Sequence, residues 1–283
     1  FASSSFLSGL SRIWARPVGQ QMSDLLRREL VADSLFPPID NADDDGLLCE
    51  GGNFDTERLI AAYRQGIFPW GGDPVRWFSP NPRSVFWEVH ISRKVKQLYR
   101  SGRFRVTADR AFGSVVEACR LSHIAAQEGP ESEDGAWITQ DYIDAYTELN
   151  QQGCAHSIEV WQADALVGGL YGVQVGSYFA GESMFHTVSN ASKVAFFVLC
   201  RHLWDLGVVL FDSQVINYHT HSLGAALVGR SDFSKMLAYA VDLPPLAPLG
   251  LWQLSEGKEA DRDPALARSS RRRFWGFNDE RCQ

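Results

Sequence analysis

The residues best suited to chemistry fall in four short stretches. Asp212-Ser213-Gln214 follows an apolar run, 208–211, that reads as a buried strand. Residues two apart in extended backbone point to one side, so a carboxylate and an amide would be aimed together from the end of that strand. The same pattern suits a polar pair that merely ends a strand. Gly181-Glu182-Ser183-Met184-Phe185 sets a carboxylate between a strand and apolar residues, a pattern that by itself also fits a solvated strand end. Trp70 and Trp137 lie in loops, Gly66-Ile67-Phe68-Pro69-Trp70 and Gly135-Ala136-Trp137-Ile138-Thr139, where an indole can stack a nucleobase or pack into a core. Arg93, Lys94, Lys96, Arg100, Arg103 and Arg105 place six basic residues in 13 positions without an acid, inside a chain of net charge −7. At helical spacing Arg93, Lys96 and Arg100 share a face opposite Val95 and Leu98, which fits phosphate binding or a solvated helix.

Composition narrows the classes. With 283 residues, 45% apolar and 22% charged, the chain has the make-up of a globular protein and excludes disordered, collagen-like and coiled-coil classes. Its longest unbroken apolar run, 194–200, is far short of the roughly 20 residues of a membrane helix. The acidic balance excludes a uniformly basic nucleic-acid binder but not a local basic patch. Cys49, Cys119, Cys154, Cys200 and Cys282 are scattered with no Cys-x-x-Cys, so they read as reduced thiols of a cytoplasmic protein. His219 and His221 have no companions that would complete a metal site. Gly168-Gly169-Leu170-Tyr171-Gly172 lies in strand periodicity rather than at a strand-to-helix turn, so it is no dinucleotide loop.

The elements that must position these residues can be read in outline. Residues 1–34, rich in Ser and Arg, are set aside as an extension or leader. A small N-terminal domain is expected over 35–84, with a helix capped by Asp55, stopped by Gly66 and carrying Leu59, Ile60 and Tyr63, then a loop through Trp70 and Trp77. A larger domain is expected over 85–243. Its helices are capped by Ser92, Asp109 and Thr139, with an acidic loop over 121–135 before the third. Strands then follow at 157–162, 166–174 and 177–181, a helix at 192–206, the strand 208–211 and a last helix at 231–240. Residues 244–283 form a charged tail. Three antiparallel strands, a helix and another strand, preceded by helices, make a mixed α/β (α+β) layer architecture.

Several phrases together resemble the leucyl/phenylalanyl-tRNA–protein transferases. They are Ala61-Ala62-Tyr63-Arg64-Gln65-Gly66-Ile67-Phe68-Pro69-Trp70, Trp77-Phe78-Ser79-Pro80-Asn81-Pro82-Arg83, His90-Ile91-Ser92-Arg93 and Trp137-Ile138-Thr139. Further on stand His156-Ser157-Ile158-Glu159-Val160-Trp161, Val167-Gly168-Gly169-Leu170-Tyr171-Gly172-Val173, Gly181-Glu182-Ser183-Met184-Phe185, Asn190-Ala191-Ser192-Lys193 and Asp212-Ser213-Gln214-Val215-Ile216-Asn217. His219-Thr220 and Ser222-Leu223-Gly224-Ala225 complete the series, which runs in order from about 45 to 243. The two extensions and the long acidic loop before Trp137 depart from the family's compact pattern.

The resemblance implies a small N-terminal domain joined to an acyl-CoA N-acyltransferase-like (GNAT-like) domain. It also implies transfer of Leu or Phe, and less readily Met, from aminoacyl-tRNA to the α-amino group of proteins beginning with Arg or Lys, which marks them for N-degron-dependent degradation. By resemblance Asp212 and Gln214 serve the attacking amine, and Glu182 meets the cationic acceptor. Trp70 and Trp137 hold the terminal adenosine, and the basic residues 93–105 named above meet tRNA. Leu170, Met184, Phe196, Leu199, Leu203 and Phe211 line the aminoacyl pocket, with Leu at 170 and 203 where the family often has Met and an aromatic ring. No metal or organic cofactor is implied, because the ester is already activated. Two rivals are an acetyl-CoA-type N-acetyltransferase and a non-catalytic RNA- or degron-binding module. The first needs a Gly-rich pyrophosphate loop, and 185–193 contains no Gly.

Overall fold

The computed structural model describes residues 35–126, 137–246 and 250–254, and the backbone of 271–273. The extension 1–34, most of the tail including Cys282, and residues 127–136 of the acidic loop lie outside the described residues. Helix α1, Thr56–Arg64, begins after Asp55, although the Asp55 side chain makes no capping bond, and Gly66 at φ +72° ends it. Strands β1 (Leu47–Glu50), β2 (Phe68–Trp70) and β3 (Arg76–Phe78) form a small antiparallel sheet in the order β1-β3-β2. The loop expected through Trp70 and Trp77 is therefore partly strand. Three-residue strands are too short to show an alternating pattern in sequence.

The main sheet has seven strands in the order β11-β4-β10-β9-β8-β7-β6. Their ranges are β4 Arg83–Phe86, β6 Arg105–Ala108, β7 Ala155–Gln162, β8 Ala165–Val175, β9 Tyr178–His186, β10 Leu210–Gln214 and β11 Ala225–Val228. Short β5, Glu88–His90, instead pairs with β12, Arg271–Arg273. The helices are α2 Arg93–Arg100, α3 Phe112–Ala126, α4 Gln140–Gln151, α5 Ala191–Asp205, α6 Tyr218–Ser222 and α7 Arg230–Asp242. The expected strand–strand–strand–helix–strand order is present as β7-β8-β9-α5-β10. Within this sheet β9 and β10 alone run parallel, and α5 joins them.

Apolar residues pack on both faces of this sheet. Tyr171, Val173, Tyr178 and Leu210 join one core with α1, α3, α4 and α7, whereas Leu170, Phe179 and Phe211 join a second with α2 and α5. Alternate residues of a strand thus enter opposite cores, which explains the almost unbroken apolar character of the central strands. Ser92 and Thr139 cap α2 and α4 as expected, accepting from the backbone N–H of Val95 and Tyr142. The acidic loop begins later than expected, because α3 continues to Ala126. Among the described residues no helix is long and apolar enough to cross a membrane.

Asp109 departs from its expected capping role. At φ +52° its carboxylate accepts the backbone N–H of Ser157 at 2.8 Å and of Trp252 at 2.7 Å, and meets His156 Nδ1 at 2.8 Å. The Trp252 ring lies parallel to His156 with centroids 4.1 Å apart, and its Nε1–H donates to Gln174 at 3.3 Å. This buried indole fastens the segment 250–254 across the sheet. Trp252→Ala is expected to lower the unfolding free energy by about 3–5 kcal/mol in urea titrations. A loss under about 1 kcal/mol would mean the ring fills its slot without holding it.

Candidate active site

The parallel pairing of β10 with β9 is brief. It covers Leu210–Tyr178, Phe211–Phe179 and Asp212–Ala180, after which β9 continues to His186 on β8 alone. The strands part there, and clefts beyond the carboxyl ends of parallel strands are natural ligand sites. A cavity of about 300 Å³ lies at this split. Three site residues gain their positions from strands longer than the sequence suggested. Glu182 lies inside β9 rather than past its end, and Asp212 and Gln214 lie inside β10.

Asp212 is wholly buried, and its partner is Arg83 of β4, 1% exposed. The guanidinium Nε–H donates to both carboxylate oxygens at 3.0 and 3.1 Å, and Nη2 donates to Oδ2 at 2.8 Å. Tyr178 donates its hydroxyl to Oδ2 at 2.6 Å, and the Gln214 backbone N–H donates to Oδ1 at 2.7 Å. The rest of Arg83 is equally occupied. Its Nη1 donates to the Gly66 carbonyl at 2.9 Å, and the group lies 4.8 Å from the ring centres of both Phe68 and Phe233. Burial works against the Arg83 charge, but the Asp212 carboxylate offsets this and the net shift of its pKa is upward.

Gln214 turns away from this pair. It adopts φ +62°, where the β10–β4 register shifts, and its side-chain amide donates to Glu182 Oε1 at 2.8 Å. The expected alternation therefore does not describe the pair, because Asp212 holds Gln214 by its backbone while the Gln214 side chain reaches Glu182. Tyr63 of α1 donates to the same Glu182 oxygen at 2.7 Å, and Tyr142 of α4 donates to the other at 3.1 Å. Behind them, Tyr146 lies 2.5 Å from the Tyr63 hydroxyl, and Tyr171 donates to Tyr142 at 3.4 Å. Loss of water pushes the Glu182 pKa up to about 7, with the Asp212 charge adding to the rise and the donors from Tyr63, Tyr142 and Gln214 opposing it. Burial first, and then Glu182, hold the phenols of Tyr63, Tyr142 and Tyr146 well above their ordinary pKa, so they remain neutral donors.

Of the six expected pocket residues, Leu170, Met184, Phe196, Leu199 and Phe211 line the cavity. Leu203 does not. It lies one helical turn beyond Leu199 on α5, fully buried in the second core. Trp70 and Trp137 stand side by side with centroids 6.5 Å apart and planes at 88°, so they meet edge to face rather than as parallel plates. Trp70 is 38% exposed. Trp137 lies 5.6 Å from His123, which itself lines the cavity. The basic residues lie elsewhere, on and beyond α2, which packs against α5 through Tyr99 and Phe197. Arg93, Lys94, Arg100, Arg103 and Arg105 are exposed, while Lys96 is half-buried, and burial and then Arg100 lower its pKa. Arg103 and Arg105 lie over the rings of Phe104 and Trp161 and carry the patch onto β6.

Sequence reasoning missed the residues that hold the centre: Arg83, Tyr178, Tyr63, Tyr142 and Tyr146. A buried Arg leaves no local pattern of its own, although Arg83 closes one of the phrases quoted above. Removing the cation strands a buried carboxylate, so Arg83→Met is expected to cost about 3–5 kcal/mol of stability in denaturant titrations. Asp212→Asn in the same chain should recover part of that loss. An Arg83→Met chain within about 1 kcal/mol of the parent would mean that Asp212 is not charged in the fold.

Comparison with known sequences gives the family. The sequence model described as leucyl/phenylalanyl-tRNA protein transferase matches residues 85–238, and that of the family's N-terminal domain matches 52–81. Curated leucyl/phenylalanyl-tRNA–protein transferases are among the relatives. That of Pseudomonas aeruginosa strain LESB58 is 47% identical over 220 residues, covering 76% of this chain and 94% of its own. That of Pseudomonas fluorescens strain SBW25 is 47% identical over 226 residues, covering 77% and 97%. That of Azotobacter vinelandii is 46% identical over 226 residues, covering 77% and 96%. With over half of the sequence matched by the family model and most of its length shared with such relatives, the chain belongs to the leucyl/phenylalanyl-tRNA protein transferase family and is an aminoacyltransferase.

Proposed function

We propose that this enzyme transfers Leu or Phe, and less readily Met, from aminoacyl-tRNA to the N-terminal α-amino group of proteins beginning with Arg or Lys, marking them for degradation. One observation carries the reading: a fixed polar chain, Arg83–Asp212–Gln214–Glu182, whose last member lines a cavity with one apolar side where two parallel strands part. Aminolysis of an ester needs a positioned neutral amine and a fixed carbonyl, not a new activating group. An amide is too weak a base to remove a proton outright, so Gln214 orients the amine. Asp212 touches no substrate in this reading, since its oxygens are occupied by Arg83, Tyr178 and Gln214. It is a positioning residue.

Glu182 supplies the negative charge that selects a cationic acceptor. Its two oxygens take three donors, which leaves acceptor capacity for one more. The apolar side of the cavity, Leu170, Met184, Phe196, Leu199 and Phe211, takes the aminoacyl side chain, and a polar group left unpaired against it costs at least about 2 kcal/mol. Val and Ile branch at Cβ, near the ester, and are excluded by shape. Trp70 and Trp137 receive the terminal adenosine, and the surface from Arg93 to Arg105 meets tRNA phosphates without reading bases. The strand order around α5 also supports kinship with the acyl-CoA N-acyltransferases.

Transfer of labelled Phe from tRNA to an Arg-starting peptide tests the whole reading. Gln214→Ala is the clean variant, because Asp212→Ala would also strand the buried Arg83. It is expected to lower turnover at least tenfold, about 1.4 kcal/mol of barrier, with tRNA affinity nearly unchanged. Turnover within threefold of the parent would remove the assignment.

The Glu182 pKa gives a signed pH dependence. Below about 7 the carboxyl is largely neutral, and above it the anion needed for a cationic acceptor is present. Transfer to Arg-starting peptides at subsaturating concentration should therefore rise as pH increases through about 7. Glu182→Gln should raise the acceptor KM and flatten that limb. An unchanged KM would return Glu182 to a purely structural part.

Changing Arg93, Lys96 and Arg100 together to Ala should weaken all aminoacyl-tRNAs alike and flatten the salt dependence of binding. An unchanged slope would leave α2 a solvated face.

A further inference from the structure

We infer that His123 recognises the free hydroxyl of the donor's terminal ribose, an inference that rests on the aminoacyl-transfer reading above. The base is taken by Trp137 and Trp70, and the ester is attacked beside Gln214 and Glu182. A nucleoside ester has a fixed order of base, ribose and acyl group, so the ribose must cross the interval between these two places.

His123 occupies that interval. Its ring centre lies 5.6 Å from that of Trp137, and its Nε2 lies 2.9 Å from the hydroxyl of Ser183, the residue next to Glu182. Both His123 and Ser183 line the cavity. With Nε2 engaged by Ser183, the other ring nitrogen, Nδ1, has no partner among the described residues. If Nε2–H donates to Ser183, Nδ1 is a bare acceptor, and the opposite tautomer makes it a donor. A hydroxyl complements either. Half-burial lowers the imidazole pKa, so the neutral ring is the working form at neutral pH.

A cycle between one residue and one substrate atom tests the inference. Donors are 3′-phenylalanyl-adenosine and its 2′-deoxy analogue, with an Arg-starting peptide as acceptor. His123→Ala is expected to lower kcat/KM on the ribo donor about fivefold, the size of one hydrogen bond, and to have no further effect on the deoxy donor. His123→Phe, which keeps a ring against Trp137, should show the same collapse of the ribo/deoxy ratio, and it serves if the Ala chain does not fold. A merely structural His123 would lower both donors by one factor. That result, or no effect on either donor, overturns the inference while leaving the transfer reading intact. Failure of the parent enzyme to use the ribo donor at all would overturn both.

Discussion

The buried ion pair between Arg83 and Asp212 is the constraint on which the site depends. Both groups lie out of water, so each is tolerable only with the other in place. The demand spreads outward. Satisfying the remaining N–H groups of Arg83 draws in the Gly66 carbonyl at the end of α1 and the rings of Phe68 and Phe233. Satisfying Asp212 draws in Tyr178 and the backbone of Gln214. One arginine thereby fixes the spacing of β4, β10, β9, α1 and α7. Gln214 is held at a left-handed backbone angle as the last link of that arrangement, not by a preference of its own.

Around Glu182 the logic is different. Its neighbours are neutral phenols, and their number moderates the effect of burial without cancelling it. The outcome is a carboxyl that titrates near neutrality rather than one locked in either form. Two carboxylates in one centre thus have different surroundings: Asp212 faces a guanidinium, and Glu182 faces neutral donors.

Much of this could be read in the sequence, because some features are local. The helices at Ser92 and Thr139, the three long strands, α5 with its apolar faces and the turn at Gly66 all follow from caps, periodicity and glycine. Asp212, Gln214 and Glu182 are visible as polar residues at the ends of apolar runs, and the ordered phrases tie them together. What could not be read was pairing across the fold. Arg83 lies 129 residues from Asp212, and Tyr63 lies 119 from Glu182. Nor does a capping residue announce that it will be diverted, as Asp109 is to Ser157 and Trp252. Leu203 illustrates the converse: shared helical phase with Phe196 and Leu199 is real, but a cavity is shorter than a helix face.

The hydroxyl of Tyr63 bears on how such a protein can be recombined. It comes from α1, between the strands of the small sheet, yet it completes the coordination of a carboxylate on β9 of the large one. Segments 52–81 and 85–238 can be recognised separately in sequence, but they are not interchangeable parts. An N-terminal segment grafted from an unrelated chain would leave Glu182 one donor short and alter the pH at which the site carries charge. The phenol of one segment is thus matched to the carboxylate of the other.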